Sequence, residues 1–377
     1  ERPARGKTGR PDPHRALEPL FAAARLTRAK VDVLRVPMRS RAKRILPRRL
    51  DRALYTLSLL PSHLRLASQL WRRRDHDLLL VREFTTLMLL VVWPLIWALR
   101  ERTCFLINHN LQEAHQRRFE RAALRILYRH GLRIACLETP AGLAELGLPP
   151  DETRILVLPH PLGALAPPRP DSPAALPVIG VIGSVRPEKS SEDVLAMLLR
   201  LREQGRLKAR LVLGCPESEV RERWWNRGFE VFDTRSRAAY LDALDLCDVV
   251  VLNYRRDRYL YRASGVVADA VARRAAVVCP DFPLIRHQLS VPARVGCPFQ
   301  KIGNLEQAIT EALALRPTLS EAAQQHESAR NPRALAALLD AFVERSSACG
   351  GDATRADAPR VSRRRAALTG GRESSMP

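Results

Sequence analysis

The sequence predicts an α/β fold made of two Rossmann-like domains that face each other across a cleft. Three observations carry this expectation. Short leucine-rich or β-branched runs alternate with helix-length segments along almost the whole chain, the pattern of parallel sheets covered by helices. The alternation occurs twice, and the halves are separated by a proline-rich stretch without periodicity, residues 164–177. At 377 residues and 46% hydrophobic content the chain is long enough to bury two ordinary cores.

The first domain is expected over residues 1–163. PHRALEPLFAAARL (13–26) reads as its first helix, and the strands are VDVLRV (31–36), LLLV (78–81), CFLIN (104–108), RIACLE (133–138) and ILVLPH (155–160). Gln112 to Tyr128 reads as a crossover helix, with Phe119, Ala122, Ala123, Leu124, Ile126 and Leu127 set among arginines. Phe84 to Leu99 carries no charge, but 16 residues of helix reach only about 24 Å, short of a hydrocarbon core of roughly 30 Å. A buried or interfacial helix is the expectation there. The second domain, 178–316, has strands VIGVIGS (178–184), ARLVLGC (209–215), FEVFD (229–233), DVVVLN (248–253) and AAVVCP (275–280). An amphipathic helical region over 317–345 and a disordered Gly-, Ser-, Ala- and Arg-rich tail over 346–377 complete the reading.

Composition limits the function classes. Seven cysteines stand singly, mostly in apolar runs and with no CxxC pair, so they read as reduced core residues of a cytoplasmic protein. The opening ERPARGKTGR has neither the apolar core nor the cleavage site of a signal peptide. Of the net charge of +22, residues 1–74 hold +15, from 20 Lys plus Arg against 5 Asp plus Glu. Such clustering seeks polyanions, and an anionic membrane face is the expected partner. Nucleic acid is a weaker candidate, because no zinc-finger, RNP-like or basic-zipper pattern accompanies the charge and aromatics are 5% of residues.

The chemistry concentrates in VIGVIGSVRPEKS (178–190). An apolar strand ends in Gly180 and Gly183, where backbone can approach a ligand, and then delivers Arg186 and Lys189 onto the start of a helix. That is a phosphate pocket in outline, although no P-loop pattern is present. Asp75, His76 and Asp77 precede a strand and read as its solvated start, not as a metal-binding DxD.

Four segments together resemble a known family. GSVRPEKS (183–190) is similar to the G-x-[IV]-R-x-x-K-G segment of nucleotide-sugar glycosyltransferases of the GT-B fold, particularly glycosyltransferase family 4. SGVVADAVARRAAVVCP (264–280) resembles their Gly-started helix and following strand, NHNL (108–111) their first-domain His-Asn turn, and VLPHPL (157–162) the segment before the linker. The order and spacing agree over roughly residues 75–345.

The resemblance implies transfer of a hexose from a nucleoside diphosphate sugar, such as GDP-mannose, to a glycan or lipid-linked acceptor in polysaccharide assembly; the charge of residues 1–74, helped by the apolar stretch Phe84 to Leu99, adds the expectation of an enzyme peripheral on the inner membrane face. Arg186 and Lys189 would neutralise the donor pyrophosphate beside Gly183, with no metal or other cofactor. Ser264 and Gly265 would offer helix N-terminal N–H groups, or simply cap the helix. Asp269 would accept from donor hydroxyls or lie on the helix surface. His109 would act as base toward the acceptor, or pack as a structural histidine. His115 reads as helix surface or acceptor contact, and His160 as shaping the hinge.

Two departures from the family stand out. Many relatives carry two glutamates around the Gly-started helix, where this chain has Arg262 and Asp269, and no apolar run precedes Pro13 to supply a first strand. They leave the stereochemical outcome open and keep a non-catalytic relative, binding a glycan or an anionic surface, as the alternative.

Overall fold

The computed structural model describes residues 18–35, 60–82, 92–107, 109–116, 118–168 and 176–353. Two parallel sheets form two α/β domains. The first sheet contains β1 (Val31–Arg35), β2 (Leu78–Arg82), β3 (Thr103–Ile107), β4 (Arg133–Leu137) and β5 (Ile155–Leu158), in that spatial order. The second contains β6 (Val178–Ile182), β7 (Arg210–Cys215), β8 (Glu230–Asp233), β9 (Val249–Val251), β10 (Ala276–Pro280) and β11 (Gly296–Phe299), ordered β11-β10-β9-β6-β7-β8. The strands are short apolar runs because both faces of each sheet are covered; β2, β3, β4, β6 and β10 are buried throughout. Ten of the eleven strands coincide with predicted runs. The eleventh, GCPF, is too short and too interrupted by Gly296 and Pro298 to signal itself.

The two sheets differ where it matters for function. In the second, the chain builds outward from β6 through β7 to β8, then returns to the other side of β6 with β9. The strand order reverses between β6 and β9, and ligands of doubly wound sheets bind beyond the carboxyl ends of such a pair. The first sheet adds its strands in one direction with no reversal. Right-handed crossovers of that kind put their helices on one face. Helices Glu18–Leu26 and Pro332–Ala353 pack against each other, and the second also touches β5. Leu335, Ala336, Leu339 and Phe342 of the last helix belong to the first domain's core.

Several expectations change in detail. The helix expected over 112–128 is two helices, His109–Gln116 and Arg118–Arg129, on either side of residue 117, which lies outside the described residues. The tail expected from residue 346 is helical as far as Ala353, because Ser346 is buried and its hydroxyl donates to Thr153 O (2.9 Å). Residues 354–377, those upstream of Glu18 where a first strand would fall, and 84–91 within the uncharged stretch lie outside the described residues. Among the described residues no helix is long and apolar enough to cross a membrane, and Cys104, Cys136, Cys215, Cys247, Cys279 and Cys297 are free and buried.

Candidate functional site

Beyond the end of β6 the backbone turns at Gly183, whose φ of +122° is open to glycine and strained for any L side chain. Its N–H donates to Gly214 O (2.7 Å), pinning the turn to β7. Gly180 has a different use from the one expected: it lies within β6, and a Cβ there would overlap the Cys247 sulfur, so its bareness serves packing and not a ligand. From Gly183 the chain runs through extended Arg186 into a 3₁₀ turn, Pro187–Lys189, and then into helix Ser191–Glu203.

Lys189 folds back over the glycine, so that a Cβ on Gly183 would stand 3.3 Å from its ammonium. The side chain is half-buried and makes no hydrogen bond or ion pair among the described residues. Burial, reinforced by the nearby Arg186 charge, pulls its pKa down to about 8, against weaker support from Glu188 and Glu217. Arg186 is 59% exposed and only loosely paired with Glu188, at 3.8 Å. The turn is tied across the switch point to the loop after β9: Asn253 Nδ2 donates to Ser190 O (3.2 Å) and Arg255 N to Glu188 O (3.0 Å).

That loop leads to helix Gly265–Ala272, and Ser264 is its cap. The Ser264 hydroxyl accepts from Val267 N (3.3 Å) and bonds the Tyr254 hydroxyl (2.8 Å), while its own N–H donates to Gln288 Oε1 (2.8 Å). Ser264 therefore has no free N–H for a ligand, which corrects half of the expectation. The N–H groups of Gly265 and Val266 have no partner among the described residues, and both residues are half-buried. They are the orphan donors of a helix N-terminus, where the dipole favours an anion. Asp269, four residues on, is engaged by Arg237 through two bonds (2.8 and 2.5 Å) and by the Tyr240 hydroxyl (3.1 Å). Burial and then Asp269 hold that phenol well above its ordinary pKa, so it stays a donor.

On the opposing domain His109 opens helix His109–Gln116 directly beyond β3, and its side chain lies outside the described residues. The next turns of this helix meet the loop after β9. Gln112 donates to Asp257 O (3.2 Å) and accepts from Tyr261 N (3.0 Å). His115 is half-buried: its ring stacks on Tyr261 at 4.1 Å and bonds Gly142 O (2.9 Å), so both contacts are within the protein. Desolvation lowers its pKa.

A second cross-domain cluster went unrecognised in the sequence. Glu138, at the end of β4 with φ of +68°, is a buried carboxylate that accepts from His160 N (2.7 Å), His287 Nδ1 (2.7 Å) and both terminal nitrogens of Arg330 (2.5 and 3.1 Å). These donors outweigh its desolvation and hold its pKa below the usual glutamate value. His160 lies at the hinge, as read, with Nδ1 against Pro161 O (3.0 Å). Of the predicted donor residues the fold places Gly183, Arg186 and Lys189 on one turn, bonds that turn to the loop that leads on to Gly265, and engages Asp269 with Arg237 and Tyr240.

Solved proteins share this fold. The chain is similar to α,α-trehalose 6-phosphate synthase from Burkholderia multivorans (TM-score 0.54, 15% identity, covering 81% of this chain and 79% of that one). It is equally similar to sucrose-phosphate synthase from Thermosynechococcus elongatus (TM-score 0.54, 15% identity, 81% of each chain). The fold is GT-B. A third match, to a chain of the GtfA/B complex (TM-score 0.53, 10% identity), covers 76% of this chain but spans only 60% of the other. No protein-family model matches the sequence, and neither does any curated protein.

Proposed function

We propose that the chain is a glycosyltransferase that moves a hexose from a nucleoside diphosphate sugar to a glycan or lipid-linked acceptor in glycoconjugate assembly. One observation carries the reading: an uncompensated ammonium, Lys189, sits over a positive-φ glycine at the switch point of a GT-B donor sheet. As the glycosidic bond to phosphate breaks, negative charge grows on the departing diphosphate. Lys189, Arg186 and the N–H groups of Gly265 and Val266 are fixed donors for that charge, so the step draws its positive charge from the protein and no metal enters it. His109 is assigned as base toward the acceptor hydroxyl from its place beyond β3. The uridine nucleotide is the first donor to test, because a further neighbour from Burkholderia vietnamiensis (TM-score 0.51, 12% identity) is a UDP-forming trehalose-phosphate synthase. GDP-mannose is the second.

A non-catalytic relative is favoured by one observation, the occupation of Asp269 by Arg237 and Tyr240. Thermal shift with UDP and GDP, followed by transfer from radiolabelled UDP-hexose and GDP-mannose to a glycan acceptor, separates the two. A shift with turnover that vanishes in Lys189→Ala supports the transferase; binding without turnover supports the alternative. No shift with either nucleotide at millimolar concentration sinks the donor site.

A further inference from the structure

The pole of the first domain farthest from the cleft carries an aromatic and basic surface that the catalytic reading does not use. It is assembled from residues that precede β2, β3 and β4, hence from the amino ends of those strands, whereas the cross-domain contacts described above arise beyond the carboxyl ends of β3, β4 and β5. Trp71, at the end of helix Leu60–Arg72, is 57% exposed, and the Arg74 guanidinium lies 4.7 Å from its ring centre. Arg102 reaches back to Arg74 O (2.6 Å), joining this corner to the turn before β3. There Trp97, 40% exposed, packs at a tilt against Trp93 (5.4 Å) and His130 (5.1 Å), and Arg100 sits 5.3 Å from its ring centre. Arg72, Arg74, Arg102 and Arg129 are all exposed at this pole and outnumber the exposed Asp75, Asp77 and Glu101, so the patch is net positive.

We propose that this pole docks on an anionic lipid surface. Tryptophan favours the boundary between headgroup and hydrocarbon, where its ring is dry and its N–H is wet. Arginine held beside such rings meets lipid phosphate at the same depth, and the sign of the patch matches an anionic leaflet. The described helices supply no span, so attachment is by the surface alone. Held in this way, the cleft stands at least one strand length, about 17 Å, from the lipid. On the glycosyl-transfer reading above, the acceptor end must project that far, as a glycan chain does and a sugar carried directly on a lipid phosphate does not.

The test is sedimentation of the full chain with vesicles of phosphatidylcholine, with and without phosphatidylglycerol. Binding is expected only to the anionic vesicles and to be lost near 1 M salt, where the Debye length is about 3 Å. Arg72→Ala with Arg74→Ala should weaken it about 25-fold, at about five-fold for each arginine. Trp71→Ser with Trp97→Ser should weaken it at least about ten-fold. The arginine variant should keep the wild-type melting temperature, the tryptophan variant should lose some stability with the packing of Trp97 on Trp93 and His130, and both should keep the UDP shift, since they alter the far pole. Equal binding to neutral vesicles, unchanged binding in the variants, or a self-associated species that shields the tryptophans overturns the proposal. Efficient transfer to a lipid-phosphate monosaccharide in the same vesicles overturns the orientation. Vesicle binding by a chain that gives no UDP shift supports docking while ending the glycosyl-transfer reading.

Discussion

Replacing Lys189 with methionine keeps the aliphatic stem over Gly183 and removes the ammonium. A pKa drawn from 10.5 to about 8 means that the folded protein disfavours the charge by up to about 3 kcal/mol, which partial exposure screens to about 1–2 kcal/mol. Because the folded value is the lower one, the unfolded chain holds the proton more tightly between the two values. The cost is therefore fully present below pH 8 and is relieved as pH rises toward 10.5. Lys189→Met should be more stable than wild type by that amount at pH 7, and the difference should close near pH 10.5. Nucleotide binding should move the opposite way: the variant loses about ten- to a hundred-fold in UDP affinity, the worth of a charged hydrogen bond. In the wild type a bound diphosphate restores the proton, so affinity falls above pH 8 and binding at pH 9 takes up a proton. Calorimetric unfolding at pH 7 and 10, with titration of UDP at pH 7 and 9 in two buffers, reads all of this. A variant no more stable at pH 7, or a UDP affinity flat across this range, would refute the argument.

Glu138→Gln leaves the buried Arg330 guanidinium without its counter-charge and should cost about 3–5 kcal/mol in urea unfolding, with Arg330→Met on the same background recovering part; a change within error means that the cluster contributes nothing. Gly183→Ala forces a Cβ into the φ of +122° and toward Lys189, so it should cost about 1–3 kcal/mol and lower UDP affinity together. Phe342→Ala should cost about 3–5 kcal/mol and be read by hydrogen exchange as faster opening of β5 and β1 than of β6, the reverse order counting against the shared core.

Sequence patterning made the sheets legible because buried parallel strands have no polar face to disguise them, as LLLVR and RIACL illustrate. The glycine turn after β6 was legible for a related reason: glycine and two cations within seven residues at a strand end are local, and the fold needs only to close a short turn to unite them. What could not be read depends on distant pairing. Nothing near Glu138 announces His287 or Arg330, which arrive from 149 and 192 residues away. Arg237 likewise shows no sign in its own segment that it will occupy Asp269, and Gly180 looks the same whether its neighbour is a phosphate or Cys247. A glycine reports that space is scarce, not what fills it.

The return of helix Pro332–Ala353 to the first domain has a consequence for how the protein is made. As synthesis proceeds, β1 to β5 emerge early, yet the side chains that seal one side of their sheet are among the last to leave the ribosome. The second domain has its whole sheet in hand by Phe299 and can consolidate first, so the nascent first domain must wait, with part of its apolar surface uncovered, for a partner helix encoded beyond it. Premature termination between residues 300 and 331 would accordingly release a product whose second sheet is whole and whose first domain is exposed to aggregation, a failure at the opposite end of the molecule from the missing residues.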